Sequence, residues 1–305
     1  MLKKPLFRGA ATALITPFDD LDRVDFGAFA DLLDAQLEAG IDALVVGGTT
    51  GESAALTDRE LQALLSFAVV HVSGAVPVIA GTGRNDTART AELNQMAGRC
   101  GADGALVVTP YYNKTTQAGL LAHYRHLADR SPVPLVLYDV PSRTGLHMAA
   151  ETCAALAEHP NIAGLKAASG DFSDLARLRR MAPDLHIWSG NDDQVVPLLA
   201  LGGCGVISVV SNLLPGPVAE MCRDFFAGDV VSAARTQLRL QPLIELLFAQ
   251  VNPIPVKAAC AMVGLCKNRL RLPLVPLEEP WEIALAGEIG RLGLKQTINR
   301  QIHIK

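Results

Sequence analysis

The run Asn161-Ile162-Ala163-Gly164-Leu165-Lys166-Ala167-Ala168-Ser169-Gly170 decides how the rest of the chain is read. The apolar residues Ile162 to Leu165 lie between two turn signals, Pro160-Asn161 before them and Gly170-Asp171 after. A short apolar run with such borders reads as a buried strand. This one ends in a single lysine. Holding an ammonium away from water is costly, so burial favours the neutral amine, and a neutral amine attacks a ketone to give a Schiff base. On this segment alone, a lysine that reaches solvent and does no chemistry is the simpler reading, because lysine readily snorkels. The other strand ends decide between the two.

Outward from this run, short apolar segments alternate with stretches of helical period. Strands are expected over 11–15, 43–46, 76–80, 104–108, 134–138, from 162, over 186–188 and over 206–210. Helices are expected between them over 25–39, 86–100, 116–129, 149–158, 171–181, up to 201 and over 215–227. A further one starts from the capping-box pattern Thr57-Asp58-Arg59-Glu60. Strand then helix, eight times over, with nearly continuous apolar strands, predicts a parallel sheet covered on both faces. Eight units fit a closed (β/α)8 TIM barrel over residues 1–228, and the purely helical pattern from Asp229 predicts a helical C-terminal extension over 229–305. An open doubly wound sheet is the alternative, but no GxGxxG fingerprint follows the first strand.

The totals exclude several classes of function. Of 305 residues, 50% are hydrophobic and 19% charged, the composition of an ordinary globular protein. A net charge of −4 gives no footprint for nucleic acid. Six cysteines without a CxxC pair read as free thiols in a reducing compartment, so a cytoplasmic location is expected. No apolar stretch follows Met1-Leu2-Lys3-Lys4-Pro5, so no signal peptide is expected. The longest apolar tract, 195–210, is broken by Pro197 and Gly202-Gly203-Cys204-Gly205, so no membrane span is expected either. Arg177-Leu178-Arg179-Arg180 reads as the solvated face of a helix, and the close pair His123 and His126 as a helix face. No cluster offers three metal ligands, and there is no phosphate loop or GxSxG elbow.

In an eight-fold barrel the chemistry sits on the loops after the C-terminal strand ends. After the second strand stand Thr49 and Thr50 in a glycine-flanked turn, where hydroxyls and backbone N–H groups suit a carboxylate. A tight turn that merely carries threonine is the competing account. Glu52, in the same turn, is expected to tie the loop to backbone donors rather than to act as a base. Thr109-Pro110-Tyr111-Tyr112-Asn113 follows the fourth strand, its paired tyrosines suited to an interface or a site. The fifth leads into Tyr138-Asp139-Val140-Pro141-Ser142-Arg143-Thr144-Gly145, with a phenol to pass protons and an arginine whose planar fork suits a carboxylate. Lys166 ends the sixth strand, Gly190 follows the seventh, and Ile207 lies in the eighth, where its side chain or carbonyl would border a pocket. A lysine, tyrosines, threonines and an arginine on one rim suit ketone chemistry on an acidic substrate, and they reverse the reading of Lys166.

Gly48-Thr49-Thr50-Gly51-Glu52-Ser53, the Tyr138–Gly145 run and Gly164-Leu165-Lys166 closely resemble the dihydrodipicolinate synthase family, among the pyruvate-dependent class I aldolases that include N-acetylneuraminate lyase. The likeness runs from Gly9 through Asn252-Pro253-Ile254-Pro255-Val256-Lys257 to Arg271-Leu272-Pro273-Leu274. It implies that Lys166 forms the Schiff base with pyruvate and that Tyr138 moves protons, linked through Thr49 to Tyr112 of a neighbouring subunit. Thr50 would hold the pyruvate carboxylate with a backbone contact from Ile207, and Arg143 would receive the carboxylate of aspartate semialdehyde. It further implies 4-hydroxy-tetrahydrodipicolinate as product, on the route to lysine and diaminopimelate, a homotetramer built as a dimer of dimers, and no metal or organic cofactor. The double threonine and Ser142-Arg143-Thr144 favour the synthases over the lyases, which typically have a serine-threonine turn and lack that arginine. Ala167 and Asp139 depart from the family's frequent glutamate and asparagine. Asp58, Leu61 and Arg89 stand where lysine-sensitive members tend to have histidines and a glutamate, whereas Ser53, Asn85 and Tyr111 match, so weak or absent inhibition by lysine is expected. The alternatives are another 2-keto-acid aldolase, acting on a sugar acid, and a non-catalytic binding barrel.

Overall fold

A computed structural model describes residues 4–294; residues 1–3 and 295–305, the latter closing the expected extension, lie outside the described residues. Eight strands pair in chain order: β1 (Gly9–Ala13), β2 (Ala43–Val46), β3 (Val78–Gly81), β4 (Gly104–Val108), β5 (Leu135–Asp139), β6 (Ile162–Ala167), β7 (His186–Ser189) and β8 (Gly205–Ser208). All pairings are parallel, and β8 returns to β1 with Ile207 opposite Ala11. That last pairing closes the barrel and rules out the open sheet.

Inward-facing residues, among them Ala11, Val45, Ile79, Leu106, Val136 and Trp188, fill the barrel with side chains. Phe7 stacks on Trp188 with ring centroids 4.9 Å apart. A Cβ at Gly164 would come within 2.5 Å of the Trp188 ring, so the indole fits only beside a glycine. Outward-facing Leu135, Leu137, Leu165 and Ala167 pack beneath the surrounding helices.

The helices follow their caps. Those at Phe26–Glu38, Thr87–Arg99, Gln117–Arg130 and Phe172–Met181 each start one residue after the position expected. Asp25, Asp86, Thr116 and Asp171 are N-caps, whose side-chain oxygens accept a backbone N–H three residues on. The Thr57–Glu60 capping box is present at the start of Asp58–Val72. Strand ends shift for equally local reasons. β1 stops at Ala13 because the Ile15 N–H goes to Asn212 Oδ1 at 2.9 Å. β8 stops at Ser208 because Asp192 captures the N–H groups of Val209 and Val210. A short helix, Pro141–Thr144, replaces what reads in sequence as loop.

One expectation about a surface is corrected. Leu178 is buried and Arg179 donates to the carbonyls of Pro183, Leu185 and Leu201, so that face is only partly solvated. His123 is buried beside Thr87, and only His126 faces water. After Pro215–Phe226 come Val230–Leu247, Ile254–Met262 and Glu279–Arg291. Their buried Leu240, Leu243, Val256 and Leu285 share one apolar cluster with Leu33, Leu61 and Val206 of the barrel. Among the described residues the six cysteines are unbridged, and no helix is long and apolar enough to cross a membrane.

Candidate active site

The C-terminal strand ends enclose a cavity of about 170 Å³, lined in part by Thr49, Thr50, Tyr138, Ser142, Arg143, Lys166, Gly190, Asn191 and Asn252. Lys166 is 5% exposed and stands in register between Tyr138 on β5 and Trp188 on β7. Its Nζ lies 4.4 Å from the centroid of the Tyr138 ring. A Cβ at Gly190 would sit 3.0 Å from Lys166 Cε and 2.7 Å from the Ala168 Cβ, so a glycine there leaves the lysine stem its room.

The turn that carries Thr49 and Thr50 is held from several sides. Thr16 Oγ1 donates to the Gly51 carbonyl at 2.7 Å. Gly47 has φ +67°, and a Cβ there would overlap Leu61, so the turn opens on a left-handed glycine. Asn252 Nδ2 donates to Thr50 Oγ1 at 3.0 Å, leaving the Thr50 hydroxyl proton for an acceptor in the cavity. Among the described residues the buried Asn252 Oδ1 has no partner, and Arg143 Nη2 donates to the Asn252 carbonyl at 3.0 Å.

Glu52 behaves as expected in one respect and not in another. Its Oε2 accepts the Arg271 N–H at 3.0 Å, but its Oε1 pairs with Lys257, whose side chain is 0% exposed. The Lys257 Nζ also lies over the Phe18 ring, 4.0 Å from its centroid. Burial outweighs the attraction of Glu52 and holds the Lys257 ammonium below its ordinary value. The helix Ile254–Met262 is thereby fastened to the threonine turn.

Two expected residues stand apart. Ile207 is wholly buried among the side chains that fill the barrel; Val209, one residue beyond β8, lines the cavity in place of the Ile207 side chain. Tyr112 is 91% exposed, with φ +68°, and does not line the cavity within its own chain. Tyr111 lines an adjoining cavity of about 350 Å³, together with Thr49, Arg143, Asn252 and Leu272. Asn252, Phe248 and Val209 line the first cavity without having been singled out in sequence. The only available signal was Asn252-Pro253 within the run that carries the resemblance.

The departures Ala167 and Asp139 are neighbours in register on the outward face, so neither enters the cavity. Of the three positions compared for lysine sensitivity, Leu61 is fully buried against the threonine turn and offers nothing to a ligand. Arg89 is paired with Asp58 and Glu92, so its charge is largely balanced and its expected repulsion of an amine is weakened.

The profile of the Dihydrodipicolinate synthetase family matches residues 6–289. This chain belongs to that family. A 4-hydroxy-tetrahydrodipicolinate synthase of Exiguobacterium sibiricum is 50% identical over 275 residues, 90% of this chain and 94% of that relative. The dihydrodipicolinate synthase structure from Thermotoga maritima superposes with a TM-score of 0.93 at 42% identity, covering 95% of this chain and all of that one. A chloride-inhibited family structure from Acinetobacter baumannii, complexed with pyruvate, gives 0.92 at 37% identity, covering 94% of this chain and 99% of the other.

Proposed function

We propose that this chain is a lyase that condenses pyruvate with L-aspartate 4-semialdehyde to give 4-hydroxy-tetrahydrodipicolinate, on the route to lysine and diaminopimelate. The observation that carries the reading is the buried Lys166 amine beside a phenol in the cavity at the barrel mouth. The Lys166 amine attacks the pyruvate ketone, and loss of water gives an imine. Loss of a proton from the methyl carbon then gives an enamine that attacks the semialdehyde carbon. Tyr138 moves the protons of these steps. Thr49 links it to Tyr112 of a neighbouring subunit, whose exposure on its own chain suits that use.

Thr50 holds the pyruvate carboxylate with its free hydroxyl proton, and a backbone contact from Ile207 completes the hold. Gly190 gives the substrate room beside the lysine. Arg143, anchored on the Asn252 carbonyl, receives the carboxylate of the semialdehyde. The division into a catalytic barrel over 1–228 and an extension over 229–305 is part of this reading; the described part of the extension, up to residue 294, braces the barrel through Phe248 and Asn252, which line the cavity. The assembly is a homotetramer, a dimer of dimers, working in the cytoplasm without metal or organic cofactor.

Borohydride reduction in the presence of pyruvate is expected to add a stable mass to the Lys166 peptide, and Lys166→Ala to abolish it. Absence of trapping in the unaltered protein removes the imine and leaves a binding barrel. Consumption of aspartate semialdehyde, set against N-acetylneuraminate and keto-deoxy sugar acids, separates the synthase from another 2-keto-acid aldolase. Arg143→Ala should impair use of the semialdehyde far more than imine formation.

A further inference from the structure

Behind the Arg143 turn, on the outer side of β5, three side chains form a linked set. Asp139, the last residue of β5, is 3% exposed. Its Oδ1 accepts the Met148 N–H at 3.0 Å, and its Oδ2 lies 2.7 Å from His147 Nδ1. The other ring nitrogen, Nε2, lies 3.1 Å from Asp174 Oδ2, in the first turn of the helix Phe172–Met181. A neutral imidazole donates from one nitrogen only, so carboxylates at both nitrogens call for the imidazolium. Between Asp139 and His147 runs the segment 140–146, which carries Ser142 and Arg143 into the cavity wall. The contact between Asp139 and His147 therefore joins the two ends of that loop.

We infer that His147 is a positioning residue: clamped as an imidazolium between Asp139 and Asp174, it closes the loop 140–146 and holds Arg143 where the second substrate's carboxylate docks. The inference rests on the reading of Arg143 given above. The charged groups around the ring come from every neighbouring element. Asp139 comes from β5, and Asp174 and Arg177 from one helix, with Arg177 also reaching Glu151 at 3.5 Å. Cys153 and Tyr124 are buried, and burial pushes the pKa of each upward, so both stay neutral. Gln117 Nε2 donates to the His147 carbonyl at 2.8 Å and holds part of the loop whatever the charge on the ring.

Burial of the ring opposes its charge, but the two carboxylates outweigh it and raise His147 above an ordinary histidine. Burial likewise holds Asp139 above the usual carboxylate range, so the trio retains its proton. A raised imidazole gives a clamp that is complete below the unfolded histidine value of about 6.5. It is lost as pH rises through the folded value.

The test combines ring-nitrogen spectra of 15N-histidine-labelled protein with kinetics across the same pH range. His147 should stay doubly protonated where ordinary histidines have already titrated, and Asp174→Asn should move its titration to lower pH. Exchange of the backbone amides in 140–146, corrected for the intrinsic pH dependence, should accelerate at the same point. The KM for aspartate semialdehyde should rise about tenfold there, the weight of one charge-assisted hydrogen bond. The rate of borohydride trapping with pyruvate should stay unchanged, and the KM break should move with the ring in Asp174→Asn. An ordinary titration of His147, or a KM break that stays fixed in Asp174→Asn, overturns the inference. If the semialdehyde is not consumed at all, the reading of function fails instead, and the ring spectra and amide exchange still decide whether the clamp exists.

Discussion

Removing the ammonium of Lys257 tests how the extension holds the threonine turn. Lys257 and Glu52 are 0% and 1% exposed, so Lys257→Met leaves a buried carboxylate whose remaining partner among the described residues is the Arg271 N–H at 3.0 Å. An uncompensated buried charge of this kind costs about 3–5 kcal/mol. The exposed pair Arg23 and Asp19, with Arg23 71% exposed, provides the contrast: water screens it, and breaking it should change stability little. The pair is not a large net source of stability, since burial outweighs attraction at Lys257. Neutralising both partners, as Glu52→Gln with Lys257→Met, should therefore recover most of the loss. The assay is urea unfolding of wild type, both single variants and the double variant at one fixed protein concentration, because assembly adds to apparent stability. If Lys257→Met lies within about 1 kcal/mol of wild type, the burial argument is refuted. The same holds if the double variant is as unstable as the two single losses added together.

Gly190→Ala would bring a Cβ to 3.0 Å from Lys166 Cε, and displacing the amine should slow imine trapping on the order of a hundredfold. An unchanged trapping rate would show that the lysine has room to spare. Burial pushes His123 down to about 4, so it stays neutral in the folded protein while the unfolded chain takes up a proton near 6.5. Its contribution is present above the unfolded value and lost as pH falls toward 4, by about 3 kcal/mol in all. His123→Gln should flatten that part of a plot of urea midpoint against pH. Lysine should inhibit weakly or not at all, and a micromolar inhibition constant in a steady-state assay would overturn that expectation.

Much of the barrel was legible because its signals are local. A strand covered on both faces must be apolar almost throughout, and a helix start must satisfy its orphan N–H groups. Runs such as Ala43–Val46 and the capping box at Thr57 therefore announce themselves without tertiary information. The polar residues at strand ends were legible for a related reason, since a closed parallel barrel gathers those ends on one face. Strand limits were less so, because β1 and β8 stop where Asn212 and Asp192 capture backbone N–H groups from distant sequence positions.

The sequence by itself determined the eight-fold alternation and a set of candidate side chains at the strand ends, because period, capping and residue chemistry are written along the chain. Only the tertiary structure decided which of them share a cavity. Ile207 turned its side chain into the packed interior, Tyr112 faced outward, and Asn252 came more than two hundred positions along the chain to Thr50. It also made Lys257 the partner of Glu52 and set His147 between Asp139 and Asp174. Burial and ion pairing depend on what the closed fold brings together, and no local pattern encodes that.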